Sequence, residues 1–227
     1  MASDSGEKHT RKTTICVYCG SSRGFSPAHI DAARRLAEIM AESNIQLVYG
    51  GGTVGLMGET AKTLVALSGP DAAHGIIPEA LLKFECDDKS PSVKQGGMDI
   101  PDPTIYGRTT VVKDMHTRKR MMAEEVFSGG PGSGFIALSG GFGTVEEVLE
   151  TVTWAQLGIH DRGVCLLNIN GFFDGILDFV CRANAEGFIH GSNTRILCSV
   201  STAEAAVEAL LRYKVPDSVL RIEWSKM

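Results

Sequence analysis

Short apolar runs alternate along this chain with longer stretches in which apolar residues recur at helical spacing. Residues 13–18, 46–49, 72–77, 109–112, 134–138, 164–169 and 195–200 are compact and mostly apolar, of strand length, with little polar alternation. That is how strands covered on both faces read. Between them, residues 27–43, 54–67, 114–127, 145–157, 173–186 and 202–213 carry the helical period, and a short helix is expected near 78–83. Strictly alternating strands and helices call for right-handed crossovers, and so for an α/β fold with a parallel sheet flanked by helices on both faces. Ligands on such sheets sit at the carboxyl ends of the strands. Two stretches break the rhythm. Residues 86–103, rich in Asp, Lys, Pro and Gly, read as a long surface loop, and 128–133 as a second, glycine-rich loop. No internal repeat and no second domain are visible. The expected organisation is a disordered N-terminal tail over 1–12, a single Rossmann-like domain over 13–215 and a C-terminal tail over 216–227.

The richest turn follows the run Gly134-Phe-Ile-Ala-Leu138. It reads Ser139-Gly-Gly-Phe-Gly-Thr-Val-Glu-Glu147 and leads into the helical stretch that begins at Val145. Glycines let a backbone turn sharply and approach a ligand closely. A helix start behind them presents free N–H groups and the positive end of a dipole, an anion site. Glu147 is then expected in the first helical turn, beside the bound anion. A phosphate cradle edged by a carboxylate points to chemistry on a phosphorylated small molecule. The same letters also spell a capping box, in which Thr144 caps the helix and Glu147 reaches back to it; the motif alone leaves both readings open.

A second glycine cluster, Gly50-Gly51-Gly52 with Gly55 and Gly58, formally satisfies a dinucleotide fingerprint. Asp71, the acidic residue at about the right distance, precedes its strand and so lies at the wrong end to meet a ribose. Tight turning with close helix–sheet packing explains the cluster as well as ligand contact does. A third feature is Lys113-Asp-Met-His116-Thr-Arg118-Lys119-Arg120, which crowds basic groups at a helix start. Cations there oppose the helix dipole, so an anion at that helix end is expected to settle the conflict. A solvated basic face, with Arg120 paired to Glu124, is the alternative.

Composition narrows the field. A length of 227 residues suits one α/β domain with a full core, and a net charge of −5 argues against a nucleic-acid binder. No apolar run is long enough to span a membrane, and residues 1–12 lack the apolar centre of a secretory signal. The six cysteines are scattered, mostly in apolar runs, as reduced thiols of a cytoplasmic protein would be. Cys16 and Cys19 form a C-x-x-C without a second pair, so neither a metal site nor a redox motif is expected. Trp154 lies at helical spacing, where an aromatic usually belongs to a core, and His9, His29, His74 and His190 are isolated and receive no role.

With these motifs in place, the chain resembles the LONELY GUY (LOG) family, the cytokinin-activating phosphoribohydrolases, whose members often carry the label lysine decarboxylase. The resemblance rests on Cys16-Val-Tyr-Cys-Gly-Ser-Ser22, Val48-Tyr-Gly-Gly-Gly52 with Gly55-Leu-Met-Gly58, Gly75-Ile-Ile-Pro78 and Met115-His-Thr-Arg-Lys119. It continues through Gly140 to Glu147, Thr153-Trp-Ala-Gln-Leu-Gly-Ile-His160 and Glu186-Gly-Phe-Ile189. The family signatures are M-H-x-R-K and P-G-G-x-G-T-x-x-E. This chain departs from them with Ser139 at the proline position, and the loops 86–103 and 128–133 are longer than usual. The resemblance implies hydrolysis of the N-glycosidic bond of a nucleoside 5′-monophosphate, typically of an N6-modified adenine, to free base and ribose 5-phosphate. It puts the catalytic pair on Arg118 and Glu147. Phosphate and ribose fall to Gly51, Gly52, Gly140, Gly141, Phe142, Gly143 and Thr144, and the base and substrate to Ser21, Met115, Lys119 and Trp154. It implies no metal or organic cofactor, and a homodimer or higher homo-oligomer with the site near the subunit interface. Hydrolysis of ordinary AMP, or non-catalytic carriage of a phosphorylated ligand as in the similar molybdenum-cofactor carriers, are the competing readings. Lysine decarboxylation would want a lysine in a pyridoxal-phosphate context, and the sequence offers none.

Overall fold

A computed structural model describes residues 11–87, 89–220, 222 and 224. The expectation of a disordered tail therefore falls, for residues 1–10, outside the described residues. The chain runs β1 (Thr14–Tyr18), α1 (Pro27–Glu42), β2 (Gln46–Tyr49), α2 (Gly55–Ser68), β3 (Ala73–Pro78) and α3 (Leu82–Glu85). It continues with β4 (Ser92–Gln95), β5 (Met98–Pro101), α4 (Pro103–Tyr106), β6 (Arg108–Val112), α5 (Met115–Ser128) and β7 (Gly134–Ala137). Then follow α6 (Phe142–Gln156), β8 (Gly163–Leu167), α7 (Asp174–Ala185), β9 (Leu197–Val200) and α8 (Ala203–Leu211).

Seven strands form one sheet in the order β6-β3-β2-β1-β7-β8-β9, and every neighbouring pair is parallel. Alternation within the buried strands divides the core in two. Ile15, Val17, Leu47, Tyr49, Ile136 and Leu138 face α1, α2 and α8. Cys16, Tyr18, Val48, Phe135 and Ala137 face α5, α6 and α7. The chain winds outward from β1 to β6 and then returns to the other side of β1 at β7, so the order reverses between β1 and β7. Loops diverge there at the carboxyl ends, opening the crevice in which such sheets hold ligands.

Three expectations need correcting. Residues 86–103 are not a plain loop: β4 and β5 pair antiparallel, Gln95 opposite Met98, around Gly96 and Gly97 at φ 59° and 85°. Both central residues in the left-handed region is the geometry of a tight two-residue hairpin, which glycine adopts without strain. Helix α6 begins at Phe142, three residues before the expected Val145. Finally, residues 216–220 are packed rather than a free tail: Leu220 N–H donates to Gln156 O at 3.0 Å at the end of α6.

Candidate functional site

The glycine turn joins β7 to α6 at the switch point. Gly20 N–H, after β1, donates to Ser139 O at 3.0 Å. A Cβ on Gly20 would stand 3.3 Å from Gly140 Cα, and one on Gly140 would stand 2.1 Å from Thr144 Oγ1. Those two glycines let two backbones and a helix start meet. Gly141 and Gly143 differ, since a Cβ on either would meet nothing within 4 Å. Gly141 is the N-cap of α6, and no side chain caps the helix. The first-turn N–H groups, with the positive dipole end, therefore face open space, which suits an anion. Phe142 stands beside them at 98% exposure.

Because α6 starts at Phe142, Glu147 lies in its second turn, about 9 Å along the axis from the N-cap. That overturns the capping box. Thr144 sits inside the helix against Gly140, and Glu147 is too far along to reach back. Glu147 instead points into the protein: it is 8% exposed, and its buried Oε1 has no hydrogen-bond partner among the described residues. Burial, opposed by Arg118 and reinforced by Glu146 and Glu85, pushes its carboxyl up to about 7. Beneath it, burial and the Glu147 charge push the thiols of Cys16 and Cys19 up, so both stay protonated. Thr151 fixes this part of α6, donating to Glu147 O at 2.8 Å and sharing a 3.0 Å bond with Tyr18 Oη.

Arg118, the fourth residue of α5, is 5% exposed. Its Nη1 donates to Glu85 Oε2 at 3.3 Å, and its buried Nε has no partner among the described residues. Its Nη2 occupies the place a side chain at position 50 would need, 2.0 Å from a Cβ built on Gly50. Gly51, at φ 78°, would press a Cβ to 2.9 Å from Ile77 Cβ, and Gly52 would press one to 2.9 Å from Glu85 O. All three glycines are buried. The cluster of Gly50 to Gly52 is thus the mould that seats Arg118 and Glu85. Glu85, at the end of α3, escaped the sequence reading. Burial raises its carboxyl while Arg118 opposes the rise. It sits where a short helix meets a polar stretch, with no spacing to tie it to Arg118; only the fold brings the two together.

The anion expected at the start of α5 is replaced by the chain's own carboxylate. Asp114 is the N-cap, accepting from Thr117 N–H at 2.7 Å and from Thr117 Oγ1 at 3.0 Å. The basic groups behind it then part company. Arg118 turns inward, and Lys119 bridges to α6 through Glu146 at 2.5 Å and Glu150 at 3.1 Å. Arg120 pairs with Glu124 at 3.7 Å. Met115 is exposed at the head of α5, with its sulfur 3.9 Å from Arg118 Nη1. Ser21 is exposed after β1, and its backbone fills the space beside Gly55. Trp154 lies two turns beyond Glu147, half-buried in the core on that face. His29, given no role by the sequence, shares a 2.9 Å hydrogen bond with Ser139. No group of three or more His, Cys, Asp or Glu side chains among the described residues is placed to hold a metal, and none of the described helices is long and apolar enough to cross a membrane.

The site therefore offers an open anion cradle, and behind it a buried carboxylate that changes charge near neutrality. A guanidinium lies between that carboxylate and a second one. Comparison with known proteins gives the arrangement a context. A family model described as "Possible lysine decarboxylase" matches residues 57–210. A "Bifunctional cytokinin biosynthesis protein" of Fusarium pseudograminearum is 56% identical over 198 residues, covering 86% of this chain but only 39% of that protein. "Cytokinin riboside 5'-monophosphate phosphoribohydrolase LOG" of Oryza sativa subsp. japonica is 39% identical, covering 96% of this chain and 81% of that one. The LOG2 protein of Arabidopsis thaliana, of the same description, is 40% identical over 96% and 92% of the two chains. Among solved structures, the molybdenum cofactor carrier protein of Chlamydomonas reinhardtii superposes with a TM-score of 0.59 at 20% identity, over 88% of this chain and 96% of that one. At that identity the likeness speaks for the fold alone.

Proposed function

The chain belongs to the LONELY GUY family of cytokinin riboside 5′-monophosphate phosphoribohydrolases, and from that premise we propose that it hydrolyses N6-modified adenosine 5′-monophosphates to the free base and ribose 5-phosphate. The observation that carries the reading is Glu147, a buried carboxylate in the second turn behind an uncapped helix N-terminus, whose Oε1 has no hydrogen-bond partner among the described residues. The 5′-phosphate docks on the N–H groups of the turn from Gly140 to Thr144, with Phe142 at its rim. That anchors the ribose so that its anomeric carbon faces Glu147.

As the bond from C1′ to the base nitrogen breaks, its electron pair leaves with the base and positive charge builds on the ribose. An ionised Glu147 stabilises that charge from a site shielded from water, where electrostatics are strong. A water oxygen then bonds to C1′; Glu147 accepts one of its protons, which passes to the departing base. Arg118 keeps part of the Glu147 population ionised and supplies a donor fork toward the ribose or base. Gly52 leaves room for Glu85 as Gly50 does for Arg118, while Gly51 lets the turn pack against Ile77. Ser21 and Met115 are the accessible base-side residues, while Lys119 and Trp154 hold α5 and α6 in register. The reaction needs no metal or organic cofactor. Free cysteines at every described position are in keeping with a cytoplasmic setting. The exposed aromatics Phe25, Phe142 and Phe188 are in keeping with a homo-oligomer. The chain spans 39% of the Fusarium protein, and no second activity is carried over from it.

Removing the 5′-phosphate should cost at least about two orders of magnitude in kcat/KM, because charge-assisted bonds to the cradle are lost together with the positioning they provide. The test is steady-state kinetics on N6-isopentenyladenosine with and without its phosphate, at fixed salt and with AMP as a third substrate. Comparable kcat/KM for riboside and nucleotide would refute the cradle, and faster turnover of AMP would move the preference away from N6-modified bases.

A further inference from the structure

Ser139 is the last residue before the glycine turn, and it is held at both ends. Its carbonyl accepts from Gly20 N–H at 3.0 Å, and its hydroxyl shares a 2.9 Å hydrogen bond with His29 Nδ1. Ser139 is 7% exposed and His29 half-buried, so this bond is partly shielded from competing water. His29 comes from a distant part of the chain, the first turn of α1, and its ring is itself fixed. It meets Phe172 edge-on, with centroids 5.7 Å apart, and Phe172 in turn meets the buried Phe173 at 5.0 Å. The loop after β1 closes over the other side: a Cβ on Gly24 would stand 3.2 Å from His29 Cδ2.

Beyond Gly140, the turn lacks such restraint. Gly141 and Gly143 have open space where side chains would be, and glycine has the most backbone freedom of any residue. A serine, unlike a proline, does not fix its own φ. The direction of the first N–H groups of α6 therefore depends on what holds Ser139.

We propose that His29 is a positioning residue: through its hydrogen bond to Ser139 it holds the glycine turn in the geometry that binds the substrate's phosphate. The assignment rests on the reading of that turn as a phosphate cradle. His29 touches no reacting atom and acts through Ser139. Loosening the turn weakens the grip on phosphate equally in the ground and transition states, so the loss falls on KM rather than kcat.

The experiment compares wild type, His29→Ala, His29→Asn, Ser139→Ala and the double alanine variant. Ribose 5-phosphate affinity is measured by calorimetry, nucleotide hydrolysis by steady-state kinetics, and folding by circular dichroism. Each single alanine variant should weaken ribose 5-phosphate binding and raise KM by roughly tenfold, the worth of one partly shielded hydrogen bond, with kcat within about twofold of wild type. The double variant should be no worse than either single one, because both remove the same bond. Asn at position 29, which places a polar atom near that of Nδ1, should recover most of the loss. If His29→Ala fails to fold, Ser139→Ala and His29→Asn carry the same comparison. Unchanged ribose 5-phosphate affinity in a folded alanine variant would overturn the proposal, as would additive losses or a loss confined to kcat. A wild type that binds ribose 5-phosphate but cleaves no nucleotide would sink the hydrolase reading and leave the clamp standing.

Discussion

Glu147→Gln is expected to reduce hydrolysis about a thousandfold or more while making the fold more stable than wild type above neutral pH. The amide keeps the size and shape of the side chain but brings no negative charge to the developing cation, and single preorganised electrostatic contacts are worth about two to three orders of magnitude. Loss of the proton acceptor adds to this. The stability effect follows from the same burial. In the folded protein Glu147 holds its proton up to about pH 7, against an ordinary value of 4.5. Between those values the folded state binds more protons than the unfolded chain, so this residue makes wild-type stability fall as pH rises through the window. The full difference is at most on the order of 3 kcal/mol. The Gln variant has no such slope, so its advantage in denaturant titrations should grow from pH 5 to pH 8. For wild type, kcat/KM should rise as pH passes about 7, the value at which Glu147 ionises. Near wild-type turnover in a folded Glu147→Gln protein would remove the residue from the chemistry. A stability difference independent of pH would show that its carboxyl is not raised.

Arg118→Ala should cost about two orders of magnitude or more in kcat/KM, and it should also move the pH profile. The guanidinium is the largest influence opposing the rise of Glu147. Without it the carboxyl holds its proton more tightly, and the acid limb of kcat/KM moves to higher pH. Removing the cation also leaves the half-buried Glu85 without its partner, which costs stability. Arg118→Lys separates charge from geometry. A lysine ammonium should return the acid limb toward its wild-type position, but it lacks the planar fork that reaches Glu85 and the Gly50 pocket at once. Activity should therefore recover only in part. Full activity in the Lys variant would mean that a point charge suffices, and an unmoved acid limb in the Ala variant would disprove the electrostatic link to Glu147.

The sheet is legible because its five central strands are buried on both faces and so read as apolar runs: 46–49, for example, coincides with β2, and 13–18 with β1 to within one residue. The hairpin of β4 and β5 was not, because Ser92–Gln95 is exposed along its whole length and carries no apolar alternation. Gly96-Gly97 was the available signal, a two-residue glycine loop between two short segments. At the site, Glu147 and Arg118 stood out by motif, but their surroundings did not. The buried stripe of α6 includes Thr144, Glu147 and Thr151, polar residues that hydrophobic periodicity ignores, so the apolar pattern marks the helix start three residues late and leaves the capping box open. Gly50, Gly51 and Gly52 were visible as glycines, but what they make room for, Arg118, Ile77 and Glu85, comes from elements far along the chain. The same holds for His29 and Ser139, which lie 110 residues apart. Contacts of that kind are set by topology and leave no local trace in composition or spacing.

The central claim is that this site cuts the N-glycosidic bond of a nucleoside 5′-monophosphate, and the most direct measurement is to identify the products. The wild-type protein is incubated with N6-isopentenyladenosine 5′-monophosphate, and the mixture is resolved by chromatography with mass detection. The account predicts free N6-isopentenyladenine and ribose 5-phosphate in equal amounts, with no inorganic phosphate released. Recovery of the riboside with inorganic phosphate, or of intact nucleotide after prolonged incubation with folded protein, would contradict it.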